Sequence, residues 1–86
     1  MSLDTFVIET IAAICEIERS QITLVTPLDE LAMDSLRLTA LAAYIQATHG
    51  RVVTPDEIIE LLEARCVADI VAIVRRMVEE DSLVHS

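Results

Sequence analysis

The segment Leu31-Ala32-Met33-Asp34-Ser35-Leu36 holds the residues best suited to chemistry in this chain. A strongly patterned stretch follows it and stops at Gly50, the only glycine, so Ser35 falls on the first turn of a helix. A helix start presents unpaired backbone N–H groups and a partial positive charge, an environment that tolerates a covalently attached phosphate. Ser35 offers a primary hydroxyl on which such a group can be esterified. Asp34 is placed to cap the helix, and its carboxylate could help hold a metal-borne donor. Leu36 either fixes the local packing or sets a greasy contact beside the hydroxyl.

No other constellation competes with this one. Cys15 and Cys66 lie far apart, lack CxxC spacing and have no histidine at ligand spacing, so they read as buried reduced thiols rather than metal ligands. A serine hydrolase needs a base and an oxyanion hole besides its serine. No Gly-x-Ser-x-Gly is present, no motif places His49 or His85, and the Glu79-Glu80 pair falls near a tail expected to be solvated. The expectation is a chain with no catalytic residues and no metal site.

The elements that must position Ser35 follow from composition and spacing. Eighty-six residues make one small domain over positions 1–86, with no room for a second core. With 53% apolar residues but only Phe6 and Tyr44 as aromatics, the core must be built from Ile, Val, Leu and Ala. One glycine and two prolines leave little for hairpin turns, so the fold class is all-α. A formal charge of −9 disfavours nucleic acid, whose phosphates need clustered Lys and Arg. The same charge either attracts basic partner surfaces or simply keeps the chain soluble. No apolar run is long enough to span a membrane, and no basic start with an apolar core marks a signal peptide. A cytoplasmic monomer is expected, which suits reduced thiols.

Along the chain, helical spacing predicts a first helix from Leu3 to about Glu18, capped by Ser2 or Asp4. Leu3, Phe6, Val7, Thr10, Ala13, Ile14 and Ile17 share its core face, with Ile8 and Cys15 off that face. From Arg19 to Met33 the pattern breaks, yet Ile22, Leu24, Val25, Leu28 and Leu31 keep the stretch from being a solvated linker. Within it, Thr26-Pro27-Leu28-Asp29 reads as a short helical turn with Thr26 as cap and Pro27 at its first position. The second helix runs from Ser35 to about Thr48, with Leu38, Leu41, Ala42 and Ile45 facing the core. Leu36, Ala40, Ala43 and Ala47 form an opposite stripe, either a docking strip or merely good helix formers on a surface. Thr54-Pro55-Asp56-Glu57 is a capping box that opens a short third helix to Leu62 or Glu63, burying Ile58, Ile59 or Leu62. Cys66 precedes a fourth helix from Val67 to about Glu80, with Val67, Ile70, Val71, Val74, Met77 and Val78 inward, and Asp81 to Ser86 fray.

This arrangement resembles the acyl carrier and peptidyl carrier family, whose pattern Leu-Gly-x-Asp-Ser-Leu is matched by Leu31-Ala32-Met33-Asp34-Ser35-Leu36. The four helices in the order long, long, short, long and the long first loop ending at the serine agree with that family. The resemblance implies an acyl-carrier-type four-helix bundle in which Ser35 bears covalent 4′-phosphopantetheine, holding acyl thioesters. It implies a freestanding acyl carrier for fatty-acid-like or polyketide enzymes. The alternatives are an aminoacyl or peptidyl carrier, or a helical adaptor with no prosthetic group. Expected partners are a phosphopantetheinyl transferase and acyl-transferring, condensing or adenylating enzymes, recognising Asp34, Leu36, Arg37, Ala40 and Ala43. Two departures stand out. Ala32 replaces the usual glycine, which costs stability if that residue has positive φ. The second helix has no acid after Asp34, unlike bacterial fatty-acid carriers, so partner contact is expected to be less acidic and more apolar.

Overall fold

A capped amphipathic helix begins the chain: the Ser2 hydroxyl accepts the Thr5 N–H at 3.1 Å, and Val7 and Ile11 turn fully inward. This computed structural model describes residues 2–85, with side chains described as far as Glu79. The described residues form four α-helices, α1 (Leu3–Cys15), α2 (Ser35–His49), α3 (Pro55–Glu63) and α4 (Val67–His85). Two 3₁₀ turns, Arg19–Gln21 and Leu28–Leu31, lie in the long first loop. Helix α1 packs on α2 and α4, and α3 bridges α2 and α4. The result is an all-helical bundle of four helices with one shared apolar core.

Helix α1 ends at Cys15, three residues short of expectation. Glu16 takes a left-handed conformation (φ 57°), and the Ile17 N–H returns to the Ala12 carbonyl at 3.1 Å. Ile17 continues the helical spacing but packs on the core from beyond the turn, so its periodicity points to a helix that has already ended. Ala13, expected inward, is exposed, while Ile11 and Ala12 are buried. The lone buried polar side chain of the helix, Thr10, donates to the Phe6 carbonyl at 2.7 Å.

The expected turn after Thr26 begins one residue later, as the 3₁₀ turn Leu28–Leu31 with Pro27 outside it. Thr26 does not cap it; its hydroxyl accepts the Thr23 N–H at 2.8 Å instead. The turn Arg19–Gln21 has no counterpart in the sequence pattern. Helix α2 matches closely: it ends at His49, one residue past the expected Thr48, with Gly50 left-handed (φ 66°). His49 sits half-buried with its ring edge-on to Phe6, the centroids 5.5 Å apart.

The Thr54–Glu57 capping box is present, and Glu57 also pairs with Arg51 at 3.2 Å. Helix α3 buries Leu61, however, not the expected residues: Ile58 is half-buried, and Ile59 and Leu62 are exposed. The run Ile58-Ile59-Glu60-Leu61-Leu62 contains two overlapping apolar pairs at i, i+3, and spacing alone does not choose between them. Helix α4 buries Val67, Ile70, Val71, Val74 and Met77, with Val78 half-buried. It extends through His85 rather than ending near Glu80. Asp81 to His85, expected to fray, are therefore helical, and His85 ends the helix rather than a loose tail; Ser86 and the side chains from Glu80 onward lie outside the described residues. Arg75 pairs with Asp4 of α1 at 2.9 Å, and Arg76 pairs with Glu60 of α3, tying α4 to both neighbours.

Candidate functional site

The loop that delivers Ser35 is stitched to the start of α4. The Leu28 N–H donates to the Arg65 carbonyl at 2.9 Å, and the Val67 and Ala68 N–H groups donate back to Thr26 and Leu24 at 3.2 and 2.8 Å. These bonds satisfy two first-turn donors of α4 while fixing the path of the loop. Leu28 and Leu31 then enter the core, and the chain reverses through Ala32. Ala32 is left-handed (φ 53°, ψ 40°), the conformation that the usual glycine would adopt without strain.

Immediately before the helix, Asp34 caps α2: its Oδ1 accepts the Arg37 N–H at 2.9 Å and its carbonyl accepts the Leu38 N–H at 3.0 Å. Ser35 is therefore the first helical residue, and it is exposed. Its carbonyl receives the Thr39 hydroxyl at 2.8 Å, while its own hydroxyl engages no partner among the described residues. The first-turn N–H groups of Ser35 and Leu36 have no acceptor within the helix. Ser2, by contrast, uses its hydroxyl as the α1 cap, and Ser20 sits in a 3₁₀ turn.

The outward face of α2 is apolar beside this hydroxyl. Leu36 is 77% exposed, and Ala40, Ala43, Tyr44 and Ala47 line a shallow depression of about 290 Å³. Arg37 does not extend along that face: it is half-buried, and its Nη1 donates to the Ala32 carbonyl at 2.9 Å.

Sequence reasoning missed what lies beneath the site. Cys15, at the end of α1, aims its thiol at the Leu31 carbonyl (3.4 Å), with Met33 Sδ 3.5 Å away. Burial pushes this thiol above its ordinary value of 9.0; nearby Arg37 opposes the shift and Asp34 adds to it. Both cysteines are free and half-buried rather than fully buried. No group of three or more His, Cys, Asp or Glu among the described residues is placed to hold a metal ion. No described helix is long and apolar enough to cross a membrane.

A family model described as a phosphopantetheine attachment site matches residues 5–74. The chain belongs to that family. No curated protein and no solved structure matches it. Carrier domains of this kind are non-catalytic, bear covalently attached 4′-phosphopantetheine and interact with modifying and biosynthetic enzymes. The residues around Ser35 fit such a group: an unengaged exposed hydroxyl, two open N–H donors and the positive end of a helix dipole.

The strain at Ala32 gives this carrier domain a testable weakness. A left-handed alanine costs about 1–2 kcal/mol, and glycine gives back part of that through unfolded-chain entropy. Ala32→Gly is expected to stabilise the domain by about 0.5–1 kcal/mol, seen as a higher urea midpoint at unchanged slope. A lower midpoint would mean that the left-handed turn is not strained.

Proposed function

We propose that Ser35 is the attachment point and that this domain carries acyl chains among the enzymes of fatty-acid-like or polyketide assembly. The observation that carries the reading is the exposed Ser35 hydroxyl, unengaged at the first position of a capped helix. Asp34 locks the backbone on which the hydroxyl stands, through its carboxylate and its carbonyl. The open N–H groups of Ser35 and Leu36 and the α2 dipole face a phosphate esterified there. When bound, 4′-phosphopantetheine supplies a terminal thiol for thioester cargo. The protein contributes anchorage and recognition, with no acid–base work of its own.

Leu36, Ala40 and Ala43 present a surface without charge next to the attachment point, and after the capping Asp34 helix α2 carries no acid. Such a face suits enzymes that grip by apolar contact more than by basic patches. It supports an acyl carrier that docks through aliphatic side chains rather than through a row of acids. The decisive experiment is intact mass after incubation with coenzyme A and a phosphopantetheinyl transferase of broad specificity. One added arm supports the reading; no gain with several such transferases leaves the helical adaptor in its place.

The partner strip makes a second, separate prediction. Leu36→Ala removes an exposed side chain, so stability should change by no more than about 0.5 kcal/mol. Turnover by acyl-transferring or condensing enzymes should fall about five- to thirtyfold, the range of an interface anchor. A loss of stability with turnover intact would make Leu36 a structural residue.

A further inference from the structure

We propose that Arg37 is a positioning residue for Ser35, whose guanidinium holds shut the left-handed turn at Ala32 and so fixes where α2 begins. The inference rests on the reading of Ser35 as the attachment point. Arg37 grips both flanks of Asp34. Its backbone N–H donates to Asp34 Oδ1 at 2.9 Å, and its Nη1 donates to the Ala32 carbonyl, also at 2.9 Å. That carbonyl simultaneously accepts the Asp34 N–H at 2.9 Å, so two donors converge on the oxygen of the strained residue. The guanidinium bond is charge-assisted and the stronger in kind.

The placement of this cation needs a reason. A positive side chain in the first turn of a helix has the wrong sign for the dipole. Arg37 nevertheless folds toward the turn and is half-buried there, close enough to Cys15 for its charge to pull against the raised thiol value. With alanine rather than glycine at position 32, the turn is inclined to open. The clamp offsets that inclination. An open turn would release the Asp34 N–H, unseat the cap and let Ser35 wander from the helix start. The same side chain, so engaged, is drawn away from the apolar strip formed by Leu36, Ala40 and Ala43.

The test pairs Arg37→Met, which keeps the stem and removes the donors, with Ala32→Gly. Amide hydrogen exchange of Asp34 is read in the unmodified chain alone, and kcat/KM for arm transfer from coenzyme A is read with a phosphopantetheinyl transferase. Arg37→Met is expected to speed Asp34 exchange about tenfold, the scale of one charge-assisted bond, and to lower kcat/KM severalfold. Both effects should shrink to about twofold or less when Ala32→Gly has already relieved the turn. Arg37→Lys, which retains a donor, should restore part of the protection. Unchanged Asp34 exchange in Arg37→Met, or an equal loss of transfer in both backgrounds, overturns the clamp and makes Arg37 a contact for the enzyme. A wild-type chain that no transferase loads would defeat the Ser35 reading, while the exchange data would still decide the clamp.

Discussion

Ser35→Ala is expected to gain no arm at all under conditions that load the wild-type domain fully, while unfolding at nearly the same temperature. The two halves of this result come from different links in the chain of cause. Loading needs the oxygen, and alanine has none. Stability does not need it: the hydroxyl is exposed and makes no bond among the described residues. The Thr39 hydroxyl bonds to the Ser35 carbonyl, which survives the substitution. The cap belongs to Asp34, not to Ser35. Alanine in the first turn is also a good helix former. The change should therefore stay within about 0.5 kcal/mol, a few degrees at most for a domain of this size. Intact mass and a thermal melt on the same preparation check both. A mass gain that persists in Ser35→Ala would move the attachment elsewhere, with Ser20 as the exposed hydroxyl to examine. A collapse of the melt would show Ser35 to be a structural cap after all.

The limits of α2 and the place of Ser35 were legible because their signals are local. Asp34 as cap, Gly50 as left-handed stop, and an i, i+3, i+4 core stripe all act within a turn or two of the residues they govern. The same holds for the Thr54–Glu57 box and for most of the inner face of α4. What escaped was non-local. The end of α1 depends on Ile17 packing into the core from beyond a left-handed Glu16, and periodicity treats that residue as one more helical step. The bonds that Thr26 and Leu24 accept from the start of α4 join positions some forty residues apart, and no pattern within the loop announces them. Cys15 beneath the site and the folding back of Arg37 belong to the same class. Ala32 is the intermediate case: the motif flagged the position, and the backbone supplied the sign of φ.

The α3 ambiguity yields the second large effect. Leu61 is fully buried, whereas Ile59 is 52% exposed and Leu62 46% exposed. Leu61→Ala removes core methyl groups and leaves a cavity that neighbours on α2 and α4 can only partly fill. The expected cost is about 2–5 kcal/mol, which for a domain of this size lowers the melting temperature by roughly 10 °C or more. Ile59→Ala should cost less than about 1 kcal/mol, because most of what it deletes already faces water. Equilibrium urea unfolding of the two variants separates them, with the midpoint moving strongly for one and barely for the other. The reverse order would mean that α3 is rotated so that the Ile59 and Leu62 pair faces inward, the phase that the bare spacing allows equally well. The contrast also bears on function. Two aliphatic side chains held half in water on the shortest helix add to the apolar surface already offered by Leu36. If Ile59→Ala keeps the fold and still slows a partner enzyme, α3 contributes to recognition; if it does neither, the exposed isoleucine is the ordinary apolar surface that any small domain leaves uncovered.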